Sequence, residues 1–153
     1  MHPRIPENCA FTHQHSDADN AQTHGAPSTT GLGIVNGGLQ VVNPSKVVYE
    51  QISSHLASPS VMNYDFADQS LLSDLFSGKW VPLPYTYNAL KTLRDIHKPI
   101  WRDEEVKVLH YILSPKPWDE NETGDIQETH RWWWKVNHER LEAEKGNGID
   151  DGF

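Results

Sequence analysis

The sequence predicts an α/β fold, and three observations carry the prediction. Side chains alternate in character over Val106–Ile112, a glycine-broken apolar run spans Gly33–Asn43, and between them apolar residues recur at helical spacing. In chain order, Ile34, Val35, Leu39, Val41 and Val42 make Gly33–Asn43 a buried strand. Gly37 and Gly38 interrupt it, as a bulge or a close backbone approach does. Asn43 then reads as an N-cap with Pro44 in the first helical position, and Val48, Ile52 and Leu56 give a helix over Pro44–Leu56. A second helix starts near Asp65, carries Leu71 and Leu75 on one face and stops before Gly78. Pro82 and Pro84 make Lys79–Asn88 an extended segment at a sheet edge. In the next strand Val106, Val108, His110 and Ile112 share one face. Pro115 and Pro117 end it, and a last helix follows over Thr129–Lys145 with Trp133, Val136 and Leu141 toward one side.

The chain has 153 residues, a net charge of −8 and one cysteine, Cys9. That charge excludes a large nucleic-acid footprint, which needs clustered positive side chains. A single cysteine excludes an internal disulfide framework and a Cys-rich zinc module. No apolar stretch reaches the roughly 18 residues of a membrane span, and the cytoplasm is the expected location. A mean hydropathy of −0.65 implies that part of the length lies outside the core. The polar excess sits at the ends: residues 1–32 read as an irregular loop and 142–153 as a flexible tail, leaving 33–141 as the patterned domain. An opening loop of about 30 residues is unusual in a complete domain, so the chain reads as the later portion of one.

Four groups of residues suit chemistry, and each also has a plain structural use. Asn36-Gly37-Gly38 lets a polar ligand approach the backbone beside an amide, or makes a tight turn. Asp65, Asp68 and Gln69 at a helix start could hold sugar hydroxyls and a positive sugar centre, or simply cap the helix. His110 could ligate a metal if carboxylates reach it, or fill the core. Lys116, in a proline-stiffened loop past a strand, suits a diphosphate or plain solvent. Asp17-Ala18-Asp19 spells the acidic pair that holds a divalent cation in many sugar-nucleotide enzymes, but no buried strand leads into it here.

Taken in order, these residues resemble the C-terminal half of glycosyltransferase family 8, the glycogenin and galactinol synthase group. The matching stretches are Asn36-Gly-Gly-Leu-Gln-Val-Val-Asn-Pro-Ser45, Asp65-Phe-Ala-Asp-Gln-Ser-Leu-Leu72, Leu83-Pro-Tyr-Thr-Tyr-Asn88, Val106-Lys-Val-Leu-His-Tyr-Ile112 and Lys116-Pro-Trp118. Arg131-Trp-Trp-Trp134 resembles fungal members. The resemblance implies a GT-A-like, Rossmann-like nucleotide-diphospho-sugar transferase fold without its N-terminal nucleotide-binding half. It further implies transfer of a hexose, with retention, from a UDP-sugar such as UDP-glucose or UDP-galactose to a carbohydrate or polyol acceptor.

On that resemblance Asp68 and Gln69 lie nearest the reacting centre, and Asn36, Gly37, Gly38, Asp65 and Asn88 line the donor-sugar pocket. His110 is a manganese ligand and Lys116 contacts the diphosphate. The sequence departs from the family where the D-x-D half would precede the loop, and at Leu113, where glycogenin-like relatives carry glycine. The expectation is therefore a truncated, inactive chain prone to self-association. The alternative is a non-catalytic remnant binding carbohydrate or protein through Trp80, Tyr85, Trp118 and Trp132-Trp133-Trp134.

Overall fold

A computed structural model describes residues 6–150. The outermost parts of the two polar segments, 1–5 and 151–153, lie outside the described residues. The helices are α1 (Lys46–Leu56), α2 (Ala67–Leu75), α3 (Leu93–Ile96) and α4 (Glu128–Gly146). Among the described residues the only sheet is a parallel ladder of β1 (Ala89–Leu90) and β2 (Leu109–His110), with Ala89 opposite Leu109 and Leu90 opposite His110. Helices around a small parallel sheet bear out the α/β class at that coarse level. No helix among the described residues is long and apolar enough to cross a membrane.

The core forms around Ala21, Tyr85, Ala89, Leu93, Ile100 and Trp101, with Phe11, Ala18, Leu109 and Trp132 packed against it. Three of those names, Phe11, Ala18 and Ala21, come from the opening segment, which is not a plain loop. It makes short 3-10 turns at Pro6–Asn8, Ala10–Gln14 and Asn20–Gln22. Gln22 fastens the last of these, donating to the carbonyl of Ile100 at 2.7 Å and accepting from the Tyr85 hydroxyl at 2.9 Å. A polar composition hid this packing because the buried contacts there are single small residues and side-chain amides, which carry no hydrophobic period.

Several expected elements are corrected. Gly33–Asn43 is not a strand: Val41 and Val42 are 82% and 72% exposed, and the chain turns at Gly37–Gly38. A strand exists only with a hydrogen-bonded neighbour, and none of the described strands pairs with it. The first helix begins two residues later than Pro44, because the Ser45 hydroxyl accepts from Val48 N and takes the N-cap from Asn43. The second begins at Ala67 with no side-chain cap from Asp65. Instead the Phe66 amide donates to the Ser70 hydroxyl at 3.1 Å. Of the 106–112 strand only Leu109–His110 pairs. The last helix runs to Gly146, into the stretch read as a tail, and leaves Val136 and Leu141 exposed. Its fully buried residues are Thr129 and His130, Trp132, Trp133 and Trp134 are half-buried, and the apolar face beyond them is exposed.

Candidate functional site

The turn at Gly37–Gly38 is where the site assembles, and the reason is the absence of two Cβ atoms. A Cβ on Gly37 would lie 2.7 Å from Asp68 Oδ2 and 3.1 Å from Gln69 Cγ. A Cβ on Gly38 would lie 2.8 Å from both Cε1 and Nδ1 of His110 and 2.9 Å from Asn36 Oδ1. Both approaches are shorter than real Cβ contacts, so the first turn of α2 and the end of β2 close on this backbone only because it is glycine.

Hydrogen bonds fix the assembly. The Gly37 amide donates to Gln69 Oε1 at 2.8 Å, and the Gly38 amide donates to Asn36 Oδ1 at 2.8 Å. Asn88 Nδ2 donates to the same Asn36 oxygen at 3.0 Å. That sets the orientation of the Asn88 amide, whose Oδ1 then faces His110 Nδ1 at 3.0 Å. A carbonyl oxygen can only accept, so His110 carries a proton on Nδ1, and in the neutral ring the lone pair lies on Nε2. Asp68 sits in the first turn of α2, where the helix dipole favours a carboxylate, and it is exposed. Asn88 and His110 are half-buried.

Of the residues singled out from sequence, the structure thus brings together Asn36, Gly37, Gly38, Asp68, Gln69, Asn88 and His110. It does not bring in two others. Asp65 is exposed and makes no hydrogen bond or ion pair among the described residues. Lys116 donates its ammonium to the carbonyl of Tyr111 and its backbone amide to Asp119 Oδ2 at 3.0 Å. Neither bond reaches the glycine turn.

Sequence reasoning missed two parts of this region. Ser73 accepts from the Val35 amide at 2.9 Å and donates to the carbonyl of Gln69 at 2.5 Å, tying the turn's approach to α2. A cavity of about 440 Å³ adjoins the network, with Asn36 and Asn88 at its polar edge and Leu72, Phe76, Trp80 and Leu83 in its walls. The signal for it was the apolar spacing around Pro82 and Pro84, which reads as wall as readily as strand.

The metal expectation can be tested on the donor set. His110 offers one nitrogen, and among the described residues no three His, Cys, Asp or Glu side chains gather as a metal would require. One imidazole does not hold manganese specifically, so the described residues do not by themselves fit the ion.

The chain is 29% identical over 122 residues to galactinol synthase 1 of Solanum lycopersicum, covering 74% of this chain and 37% of that protein. It is 27% identical over 110 residues to galactinol synthase 6 of Arabidopsis thaliana, covering 66% and 32%. It is 31% identical over 113 residues to glycogenin-1 of Caenorhabditis elegans, covering 67% and 25%. The chain therefore spans about a third of the length of these plant relatives and a quarter of the worm protein. No solved structure matches it. The sequence profile described as Glycosyl transferase family 8 matches residues 9–122, a stretch that contains every residue of the glycine-turn assembly. Since that match covers most of the sequence, the chain belongs to glycosyltransferase family 8, whose nucleotide-sugar transferase fold is GT-A-like.

Proposed function

We propose that this chain forms the donor-sugar side of a retaining hexosyltransferase acting on a UDP-sugar, UDP-glucose or UDP-galactose, with a carbohydrate or polyol as acceptor. The observation that carries the reading is the single assembly at Gly37–Gly38, whose members keep bonding capacity free. The amide nitrogens of Asn36 and Gln69 and Nε2 of His110 are not consumed by the bonds that hold them. Sugar hydroxyls take such donors and acceptors. Asp68 supplies negative charge for the oxocarbenium-like centre that develops as the diphosphate leaves. Lys116 is the cation proposed for that leaving group, after exchanging the Tyr111 carbonyl for phosphate oxygen. Manganese stays in the reading as an ion to which this chain gives one nitrogen, and no step is assigned to it.

Saturation-transfer NMR with UDP-glucose, UDP-galactose and UDP alone tests this. Saturation of the hexose protons is expected, and contact through the uridine alone, or none, would refute the donor-sugar role. With manganese, the isolated chain is expected to release little or no UDP; robust release abolished by Asp68→Asn would show the chain to be complete enough for catalysis.

A second reading rests on a different surface. Trp118, Trp133 and Trp134 form a continuous aromatic run, with ring centroids 5.7 Å and 4.9 Å apart and Trp118 exposed. A non-catalytic remnant would bind carbohydrate or protein there. Trp118→Ala separates the two readings: it removes binding in the second and leaves the hexose contact at the glycine turn in the first. Self-association belongs to either reading, since Val41, Val42 and Val81 leave apolar surface uncovered. Light scattering should show more than monomer, and a monodisperse monomer would count against it.

A further inference from the structure

Away from the glycine turn, three side chains line up in a way the transferase reading does not use. Cys9 Sγ lies 3.3 Å from His97 Nε2, and His97 Nδ1 lies 2.9 Å from His15 Nε2. Each is held from its own backbone. Cys9 sits between two tight turns, its amide donating to Pro6 O at 3.0 Å and its carbonyl accepting from Thr12 N at 3.1 Å. His97 ends α3, its amide donating to Leu93 O at 2.8 Å, and its ring is packed between Phe11 and His15 at centroid distances of 5.7 Å and 5.1 Å. His97 is only 5% exposed, whereas Cys9 and His15 are half-buried.

The proton positions follow from the geometry. A neutral His97 accepting the thiol proton at Nε2 must carry its own proton on Nδ1, where His15 Nε2 accepts it. After transfer, both His97 nitrogens carry protons, one facing the thiolate and one still facing His15. The arrangement is a nucleophile, a base and a third group that orients the base. Burial, and secondarily His15, hold His97 below the ordinary imidazole range, so at neutral pH it is free to accept a proton.

We propose that Cys9, His97 and His15 form a thiol–imidazole–imidazole nucleophile whose substrate class is small soft electrophiles, peroxides foremost. In the peroxide step a sulfur lone pair attacks one peroxide oxygen, the O–O bond breaks and an S–O bond forms. The departing hydroxide takes the proton from His97 Nε2 and leaves as water. Sulfur is oxidised by two electrons to sulfenic acid and the peroxide is reduced. No residue of the glycine-turn assembly takes part, so this proposal stands or falls independently of the donor-sugar reading.

The chain's single cysteine makes the test direct, because any thiol adduct seen by mass reports Cys9. Rates of reaction with iodoacetamide, and with hydrogen peroxide followed by dimedone trapping, are measured on the native chain and on the same chain in guanidinium. At pH 7 the native rate is expected to exceed the unfolded rate by about tenfold or more, because the imidazole takes the proton as the sulfur reacts. The titratable group facing the thiol is His97, just past α3, and the one facing His97 is His15, just past the Ala10–Gln14 turn, so both are varied. His97→Asn is expected to bring the native rate down to the unfolded one. His15→Asn, which leaves the thiol–imidazole contact in place, is expected to lower it several-fold and decides the matter if His97→Asn does not fold. A native rate at or below the unfolded rate, or one indifferent to His15→Asn, would overturn the proposal.

Discussion

Two polar networks flank the β1–β2 ladder, one anchored on the residue before β1 and one on the residue after it, and they are built to opposite ends. Asn88 leads into the Asn36–Gly38–His110 network, which is half-buried or exposed and leaves His110 Nε2 unused. Lys91 leads into a network that is closed. Its ammonium, 4% exposed, donates to Pro115 O and to His130 Nε2 at 3.2 Å, and His130, 0% exposed, donates from Nδ1 to Glu120 Oε2 at 2.5 Å. Tyr111 roofs that imidazole and donates its hydroxyl to Thr129 O at 2.8 Å; burial pushes this phenol up to about 12. Both networks contain a histidine, yet one histidine spends all its bonding capacity inside the fold and the other does not. The open network can bind something, and the closed one fastens α4 to the loop after β2.

The largest expected effect tests the closed side. His130→Ala leaves a buried ammonium and the Glu120 carboxylate without their shared partner, and breaking a buried charged network in this way costs about 3 kcal/mol. Urea denaturation should show that loss as a lower midpoint, while the folded fraction keeps its hexose contact. The next effect tests the open side. Gly38→Ala drives a Cβ into the His110 ring and should weaken UDP-sugar binding at least tenfold, about 1.4 kcal/mol, with less than about 1 kcal/mol lost from folding. If Gly38→Ala instead unfolded the chain as His130→Ala does, the contrast between the networks would collapse and the glycine turn would be structural.

The open network was largely legible in the sequence because its parts are local signals: a paired glycine, an acid-amide pair at a helix start, and a histidine amid valines. What could not be read was their joining. Asn88 was recognisable as a pocket residue, but its role in setting the His110 tautomer depends on which way an amide points in three dimensions. The closed network left even less trace. His130 falls in a helix whose sequence pattern favours Trp133, Val136 and Leu141 as the buried side, and the structure buries His130 instead. Its burial is set by Tyr111, Glu120 and Lys91 arriving from earlier in the chain, which no helical period encodes. The expected strand at Gly33–Asn43 failed for the converse reason: apolar content reports a preference for burial, and pairing requires a neighbouring ladder. Lys116 lies in the proline-stiffened loop after β2, and its ammonium turns to Tyr111 O.

A smaller effect is expected at Leu113, in the loop between the two networks. It holds φ +61°, a left-handed backbone conformation, and is 64% exposed, so its side chain gains little by being there. A left-handed non-glycine residue costs roughly 1–2 kcal/mol, and glycine gives back part of that through its freer unfolded chain. Leu113→Gly should therefore raise stability by about 0.5 kcal/mol, or about 2 °C in Tm by calorimetry. A loss of stability would mean that the leucine side chain, rather than the closed network's hold on Pro115, shapes the loop.

The smallest expected effect concerns His97, a buried imidazole that belongs to neither network and so shows what a closed histidine does on titration. Burial first, and His15 second, hold its pKa below 6.5, so the unfolded chain binds its proton more readily than the folded one. By linkage, stability from this group is fully present above pH 6.5 and is lost as pH falls through the folded value. Thermal melts should show a shallow decline in Tm below that point, and His97→Asn should flatten it, whatever the variant does to the melting temperature at neutral pH. A decline that survives the substitution would assign the titration elsewhere.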